Sequence, residues 1–229
     1  MTDTPIPYTT RIRSFIRRQG RATTGQRLAL ENLWEKYCLS PKHTPDIAAA
    51  FDSPAPLIVE IGFGNGSSLA DMAEANPELN YLGIEVHRPG VGHLMMLLEQ
   101  RGINNVRIFH HDAIEILEQK IQDHSLAGVH LFFPDPWQKR RHHKRRIVRP
   151  SFVELLEKKL QAGGYFHAAT DWAHYAKDML DILSAGSGLK NQSPSNDYCA
   201  RPDYRPLTKF ENRGLNLGHG VWDLIFVRS

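Results

Sequence analysis

The chain has 229 residues, of which 41% are hydrophobic and 23% charged, and its formal net charge is +3. This length suits one domain, or one domain with an appended arm, and the composition excludes disordered, collagen-like and disulfide-scaffold proteins. The two cysteines, Cys38 and Cys199, have no C-x-x-C spacing, so no disulfide framework or thiolate zinc site is expected. The apolar runs are too short to cross a bilayer and no apolar signal segment precedes the first arginines, so we expect a cytoplasmic protein with no membrane contact.

The positive charge is concentrated in two segments. Residues 11–27 hold six Arg and no acid, and residues 139–149 hold seven Lys or Arg and no acid. Such clusters are typical of proteins that bind polyphosphates, because each neutralised phosphate releases counterions. Solvated charged surfaces are the alternative, and it stays open for the first segment in particular.

The first 55 residues are predicted to form a basic arm followed by one helix, since residues 26–39 place leucines and aromatic residues at helical spacing. From residue 56 to residue 229 we expect one main domain in which short apolar strands alternate with helices. The predicted order is LIVEIG, a helix from Ser67, YLGIEV, a helix near 91–101, VRIFHH, a helix near 113–119, GVHLFF, a helix from Ser151, GYFHAATD, a helix from Trp172 and a closing strand at 221–227.

Continuous apolar strands separated by helices indicate a mostly parallel sheet that is covered on both faces, the doubly wound α/β class. The tail beyond Gly186 is rich in Ser, Pro, Asn and Gly. It is expected to supply antiparallel edge strands and a loop that folds over a site.

A glycine-rich segment follows the first predicted strand. It reads Glu60-Ile-Gly62-Phe-Gly64-Asn-Gly66, and Glu85 ends the second strand. Open parallel sheets bind ligands at the carboxyl ends of their strands, where glycines allow close approach and an acid can accept both ribose hydroxyls of a nucleoside. The segment therefore predicts a nucleoside site. The alternative is a plain tight turn beside a solvated Glu85.

The charges around this segment favour a cationic ligand. Dinucleotide sites carry G-x-G-x-x-G, whereas this loop runs G-x-G-x-G and begins with Glu60, which would repel a pyrophosphate. A ligand with a sulfonium and an ammonium group but no phosphate suits the acids Glu60, Glu85 and Asp112, and S-adenosylmethionine is such a ligand. Asp112, at the end of the third strand, is suited to the adenine amine or to an N-cap of the next helix, and both roles are compatible.

Asp135 stands between two prolines at the end of the fourth strand, in the sequence FFPDPW. Because prolines stiffen the turn at the ligand-binding edge, Asp135 is expected to face the site. Trp137 is suited to stacking on a base, and support of the loop is the other interpretation. The run KRRHHKRR at residues 139–146 follows directly, which favours a nucleic acid as second substrate over a merely solvated surface.

Two further segments carry weaker signals. Asp171 ends the fifth strand and is suited either to a substrate contact or to a helix cap. Residues 208–211, TKFE, read by themselves as a surface loop. His142 and His143 have no third ligand at recognisable spacing, so no metal site is expected.

Together these segments resemble the bacterial tRNA (guanine-N7-)-methyltransferase family over nearly the whole chain. The matching motifs are RSFIRRQGR, EIGFGNG, GIEVHRPGVG, FPDPWQKRRHHKRR, ATD, RPLTKFENRG and GHGVWDLIF. FPDPW with its basic tail, together with TKFE, is highly specific to that family. The resemblance implies a class I S-adenosylmethionine-dependent methyltransferase fold over residues 56–229. It also implies methyl transfer to N7 of guanosine 46 in the variable loop of tRNA, giving 7-methylguanosine and S-adenosylhomocysteine.

The resemblance also assigns residue roles. The residues implied to contact the methyl donor are Glu60, Gly62, Gly64, Gly66, Glu85, Asp112 and Asp135, and Asp135 is also implied to be catalytic. The residues implied to contact the substrate are Lys139, Asp171, Thr208, Lys209, Phe210 and Glu211. The residues implied to meet RNA are Arg141, His142, His143, Lys144, Arg145 and Arg146. The partner is tRNA; no metal and no obligate protein partner is implied, and the oligomeric state is left open.

The chemistry explains an acidic site without a strong base. N7 of neutral guanine has a free lone pair, so the attack needs no deprotonation, and positioning and electrostatics must supply the rate. A fixed carboxylate such as Asp135 can stabilise the positive charge that moves from sulfur to the purine. Three other functions are less consistent with these residues. A methyltransferase for small molecules or proteins would not need the basic segments, a nicotinamide oxidoreductase is opposed by Glu60, and a non-catalytic RNA-binding protein would not need the acidic pocket.

Overall fold

The computed structural model describes residues 12–15, 20–44, 46–208, 211 and 220–229. Its α-helices are α1 (Thr24–Asn32), α2 (Trp34–Tyr37), α3 (Ser67–Ala75), α4 (Arg88–Arg101), α5 (Ala113–Gln119), α6 (Pro150–Lys159) and α7 (Ala173–Ser184). Its strands are β1 (Leu57–Ile61), β2 (Asn80–Ile84), β3 (Val106–Phe109), β4 (Leu126–Phe132), β5 (Leu160–Thr170), β6 (Leu189–Asn191) and β7 (Trp222–Arg228). Short 3₁₀ helices lie at Ala48–Ala50 and Arg140–Arg145.

The strands form a seven-stranded sheet in the order β3-β2-β1-β4-β5-β7-β6. The first five strands are parallel, and β7 runs antiparallel to both β5 and β6. Strands β2 and β3 therefore lie on one side of β1, and β4 and the later strands lie on its other side. The crevice at the carboxyl ends of β1 and β4 is the switch point where open α/β sheets bind ligands.

The two faces of the sheet carry separate apolar clusters, as period-two alternation requires. On β1, Val59 and Ile61 pack with α5, α6 and α7, whereas Ile58 packs with α1, α3 and α4. Helices thus cover both faces, and the prediction of a doubly wound, mostly parallel sheet is confirmed. The antiparallel strands expected in the tail are β6 and β7. Among the described residues, no helix has both the length and the apolarity that a membrane crossing demands.

The single helix predicted at residues 26–39 is wrong, because the structure has two. Leu33 has φ −111° and ψ 0°, which ends α1 and redirects the chain into α2. The second helix is held by α4, where the carboxylate of Glu99 accepts hydrogen bonds from Lys36 Nζ at 2.6 Å and from the Tyr37 hydroxyl at 2.8 Å. A long-range contact therefore overrides the local helical pattern.

The segment before the main domain packs on it closely. Gly92 of α4 lies against the carbonyl of Gln26, and a Cβ there would stand 2.7 Å from that oxygen. Ala29 and Leu30 of α1 are buried in the same cluster as Leu94 of α4. Helix α1 thus lies directly beside the elements that border the ligand crevice. The division at residue 55 stays a prediction.

Candidate functional site

The loop after β1 takes backbone angles that favour glycine. Gly62, Gly64 and Gly66 have φ of +71°, +62° and +77°, and Gly66 is the N-cap of α3. A Cβ at Gly66 would lie 2.6 Å from Cβ of Leu94. The glycines thus turn the chain sharply and let it lie directly on α4, as the sequence pattern predicts.

Glu85, which directly follows β2, ties this loop to the start of α4. Its carboxylate accepts hydrogen bonds from the backbone N–H groups of Gly64 at 2.8 Å, Val86 at 2.6 Å and His87 at 2.9 Å. The residue is buried but lies on the wall of a cavity. Its charge is therefore fixed in place, with lone pairs left for a ligand hydroxyl.

The cavity has a volume of about 580 Å³ and opens at the carboxyl ends of β1, β2 and β4. Its walls come from the glycine loop, the β2–α4 connection, the start of α5, the end of β4 and Ser14 and Phe15 of the N-terminal arm. Among the described residues that line it, Glu85 and Asp135 are the carboxylates, and none is Lys or Arg. This wall is suited to a cationic, phosphate-free ligand of nucleoside size.

Glu60 lies behind this cavity rather than on its wall. It is 2% exposed on β1, between Gly83 of β2 and His130 of β4 in the strand register. Burial, and then the charge of Glu85, raise its pKa to about 8. Its Oε2 has no hydrogen-bond partner among the described residues. Without a ligand, Glu60 is thus a neutral acid at pH 7, and a direct donor contact stays a prediction.

Asp112 caps α5. Its carboxylate accepts a hydrogen bond from the N–H of Ile114 at 2.9 Å, which confirms the N-cap interpretation. Its neighbours His111 and Ala113 line the cavity, so Asp112 stands at the correct end of β3. Its contact with adenine stays a prediction.

Asp135 lies on the cavity wall, exposed to solvent. The turn that carries it begins and ends in strained backbone, since Phe133 and Trp137 have φ of +51° and +47°. Such angles in residues other than glycine persist only where the surroundings impose them, and they concentrate at functional sites. Here the N–H of Phe133 donates to the carbonyl of Ala169 on β5 at 2.7 Å.

Trp137 is half-buried in contacts within the protein. Its Nε1 donates to the carbonyl of Ser14 at 3.2 Å, and the guanidinium of Arg145 lies 4.7 Å from its ring centre. These contacts match the interpretation in which the ring supports the loop. They also join the N-terminal arm to the basic segment at the mouth of the cavity.

The basic segment forms a 3₁₀ helix that the sequence did not predict. Lys139, Arg141 and Lys144 are exposed, and His142, His143 and Arg145 are half-buried, so these cations and rings form one basic surface beside Asp135. Arg146 differs from its neighbours: it is 3% exposed and forms an ion pair with Asp178. The expectation that Arg146 meets RNA is therefore corrected, because a buried guanidinium cannot reach a phosphate.

Asp171 is exposed at the end of β5. The N-cap of α7 is Trp172, without a side-chain cap bond, so the helix-cap interpretation of Asp171 is wrong. The contact of this exposed carboxylate with substrate stays a prediction.

In the tail segment 208–211, Thr208 and Glu211 are in contact. Lys209 and Phe210 lie outside the described residues. The hydroxyl of Thr208 accepts from the N–H of Glu211 at 3.0 Å. The carboxylate of Glu211 is buried and takes two hydrogen bonds from Arg205, both at 2.7 Å. Glu211 thus anchors the loop to the protein interior, and its contact with substrate stays a prediction.

Sequence reasoning missed the buried network that receives Glu211. Arg205 also donates to Asp223 of β7, from Nε at 2.7 Å and from Nη2 at 3.0 Å. His167 Nε2 lies 2.7 Å from the same carboxylate, and its Nδ1 lies 2.8 Å from the hydroxyl of Tyr204. Burial lowers the pKa of His167, so it is neutral and donates to Asp223. The one signal was an aspartate inside the apolar strand WDLIF. No group of metal-binding side chains occurs within the described ranges.

Comparison with known proteins gives concordant matches. A family model described as a putative methyltransferase matches residues 54–224. A tRNA (guanine-N(7)-)-methyltransferase of Yersinia enterocolitica is 58% identical over 96% of this chain and 92% of its own. The enzymes of that name from Klebsiella pneumoniae, 57% identical over 95% and 92%, and Methylococcus capsulatus, 55% identical over 96% and 95%, are similar to the same extent.

Solved structures share the fold at low identity. The aminoglycoside resistance methyltransferase NpmB1 has a TM-score of 0.55 at 12% identity, covering 83% of this chain and 94% of that one. A variant 16S rRNA (adenine(1408)-N(1))-methyltransferase from Catenulisporales acidiphilia, solved with cosubstrate SAM, has a TM-score of 0.53 at 16% identity, covering 83% and 92%. These likenesses show that the chain shares the fold of these methyltransferases.

Proposed function

We propose, from the premise that this chain belongs to the tRNA (guanine-N(7)-)-methyltransferase family, that it transfers a methyl group from S-adenosylmethionine to N7 of a guanosine in tRNA. The target is guanosine 46 of the variable loop, the product is 7-methylguanosine, and S-adenosylhomocysteine is released. The observation that carries the proposal is one juxtaposition: the acidic cavity, the strained turn with Asp135 and the exposed basic 3₁₀ helix meet at one edge of the sheet.

The residues around the cavity fit the methyl donor. Glu85 holds its carboxylate toward the cavity wall and suits the ribose hydroxyls, while Gly62 and Gly64 leave room for close backbone approach. Oε2 of Glu60 is buried without a hydrogen-bond partner among the described residues, and in this proposal the ammonium group of the donor supplies one. The bound donor would supply an electrophilic methyl on a sulfonium.

Catalysis then depends on placing guanine rather than on removing a proton. N7 already carries its lone pair, so no base is needed, and the purine gains positive charge as the methyl arrives. Asp135 is fixed at the cavity by its strained turn and offers a carboxylate to the N1–H and amino group of guanine. The same negative charge stabilises the developing cation.

The second substrate is bound outside the cavity. In this proposal, Lys139, the N-cap of the basic 3₁₀ helix, and Asp171, which follows β5, contact the guanosine. Arg141, Lys144 and Arg145 of the basic 3₁₀ helix would bind RNA phosphates through their positive charges. A tRNA substrate places the reaction in the cytoplasm.

The assay that tests this function uses radiolabelled S-adenosylmethionine and unmodified tRNA. After the reaction the tRNA is digested to nucleosides, and we expect the label in 7-methylguanosine, with no incorporation into tRNA whose guanosine 46 is replaced by adenosine. Label in another nucleoside, or none with tRNA and label in a small molecule, would reject the proposal.

The donor site is tested separately by Glu85→Ala. The substitution removes a charged hydrogen-bond acceptor, and a hydrogen bond to such a group contributes about 1.5–3 kcal/mol to binding. Calorimetric titration should therefore show at least about tenfold weaker binding of S-adenosylmethionine. The matched control is Glu154→Ala, since Glu154 is exposed on α6. Equal affinity in both variants would contradict the assignment of the cavity.

A further inference from the structure

Arg146 lies at the end of the basic segment but points into the protein. Its side chain is 3% exposed, and its guanidinium carbon lies 4.6 Å from the ring centre of Tyr175 on α7. Nη1 donates to the carboxylate of Asp178 and lies 3.2 Å from Nδ1 of His174, both on the same helix. The position of its charge is therefore set by α7, and not by an external anion.

The same guanidinium holds the turn that carries Asp135. Nε of Arg146 donates to the carbonyl of Pro136 at 2.9 Å. Pro136 lies between Asp135 and Trp137, whose φ is +47°, so this bond stands where the backbone is strained. A strained turn keeps its shape only if surrounding contacts impose it, and Arg146 supplies such a contact from inside the fold.

The fork geometry of arginine explains why this residue type suits the position. The guanidinium presents donors in different directions, so one edge bonds the Pro136 carbonyl while another bonds Asp178. The planar group also lies over Tyr175, whose hydroxyl accepts from the N–H of Val148 at 3.4 Å. Arg146 thus joins three pieces of the fold: the turn after β4, the chain entering α6, and α7.

We propose that Arg146 is a positioning residue for methyl transfer, which fixes the Pro134–Pro136 turn against α7 so that Asp135 is held at the reacting guanine. The proposal rests on the proposed function. It assigns Arg146 to the geometry of the reaction and not to the RNA-binding charge around it. Misplacing a reacting group by about 1 Å can cost on the order of 10²-fold in rate, so a small shift of the turn is enough to matter.

The test compares Arg146→Gln with Arg145→Gln, since Arg146 is buried and its neighbour Arg145 is only half-buried. Arg145→Gln should reduce the slope of log tRNA affinity against log salt by about 0.7–0.9, the value for one lost phosphate contact. Arg146→Gln should leave that slope and the affinity for S-adenosylmethionine unchanged, and lower the single-turnover rate at saturating substrates by roughly 10- to 100-fold. A reduced slope with a wild-type rate would overturn the proposal. Wild-type protein that does not methylate guanosine N7 would instead reject the proposed function.

A second variant covers the case in which Arg146→Gln does not fold. Asp178→Asn keeps the shape of α7 and removes the charge that holds Arg146. If Arg146 positions the turn, the saturating rate should fall several-fold while the salt slope stays the same. If Arg146 is instead an RNA contact, its release should steepen the slope and leave the rate at the wild-type value, which would overturn the proposal.

Discussion

At the scale of single residues, the carboxylates at this sheet edge differ in how their charge is satisfied. Glu85 accepts hydrogen bonds from three backbone N–H groups, so its carboxylate is held in place before any ligand arrives. Glu60, on β1, is buried, its Oε2 has no hydrogen-bond partner among the described residues, and burial raises its pKa to about 8. The two acids thus differ in how their oxygens are satisfied, because Glu85 has three backbone donors whereas Oε2 of Glu60 has no partner among the described residues.

Glu60 makes the stability of the ligand-free protein depend on pH. Its pKa is about 8 when folded and 4.5 in the reference state, so between these values the folded chain holds a proton that the unfolded chain has lost. Its contribution to the free energy of unfolding is full below pH 4.5 and declines as pH rises toward 8. Glu60→Gln removes this dependence.

We therefore expect the melting temperature of Glu60→Gln, relative to that of the wild type, to increase steadily from pH 5 to pH 8. One pKa unit corresponds to about 1.4 kcal/mol, and each kcal/mol shifts the melting temperature by about 2–4 °C in a chain of this size. Thermal unfolding without the methyl donor measures the difference. A difference that is constant across this range would show that Glu60 does not titrate there.

Asp135 is expected to act in the transition state more than in binding. Asp135→Asn keeps the side-chain shape but removes the charge that offsets the purine cation, and losing one such electrostatic group typically costs about 10²–10³ in turnover. Single-turnover methylation at saturating tRNA and methyl donor separates chemistry from binding. Methylation by the variant at the wild-type rate would mean that the carboxylate has no catalytic part.

Single-residue roles were only partly readable from the sequence. The positions of the glycine turn and of Glu85 were predicted because strand, turn, helix and acid follow one another in register, while their contacts with the methyl donor stay a prediction. The burial of Arg146 could not be predicted from the basic run, because Arg145 and Arg146 are adjacent and chemically identical. Only the partner Asp178, 32 residues later on α7, decides which of the two is buried.

At the scale of elements, strand and helix positions in the main domain follow the hydrophobic pattern closely. Helix α5 spans Ala113–Gln119 as predicted, because its cap and its apolar spacing are both local signals. The helix predicted at residues 26–39 breaks at Leu33, because Glu99 of α4 binds the second half. Elements fixed by local signals were predicted, and those fixed by distant partners were not.

The basic 3₁₀ helix, exposed at Arg141 and Lys144 and half-buried at Arg145, is expected to supply salt-dependent tRNA affinity. Replacing Arg141, Lys144 and Arg145 with Gln should reduce the slope of log affinity against log salt by about 2–3, since each phosphate contact contributes about 0.7–0.9. Filter binding or fluorescence anisotropy over a range of salt concentrations measures the slope.

The matched control removes the same number of charges elsewhere, from Lys42, Lys120 and Lys190, which lie outside both basic segments. Donor affinity should be unaltered in both triple variants. If the two triple variants change the slope equally, the 3₁₀ helix is only one part of a diffuse positive surface and not the tRNA-binding element.

At the scale of the whole molecule, the C-terminal tail returns to the sheet and is fixed there by buried charges. Burial alone would raise the pKa of Asp223, but hydrogen bonds from His167 and Arg205 outweigh it and hold the pKa below its usual value. Arg205 also lies 5.7 Å from the ring centre of Phe133, at the start of the Asp135 turn. The network thus connects the tail, β7 and the turn after β4. No local pattern predicts it, because its members are far apart in the chain.

Removing Arg205 should destabilise the protein strongly. Arg205→Met leaves Glu211 and Asp223 buried without their cation, and breaking a buried pair in this way typically costs about 3–5 kcal/mol. With each kcal/mol worth about 2–4 °C, the melting temperature at pH 7 should fall by roughly 6–20 °C. The control is Arg101→Met, whose ion pairs with Asp71 and Glu74 are partly exposed and worth about 0–1 kcal/mol. The triple variant Arg205→Met/Glu211→Gln/Asp223→Asn should recover part of the loss, because it removes the two uncompensated charges. Equal melting temperatures for Arg205→Met and Arg101→Met would show that the tail is held by its apolar contacts and not by this network.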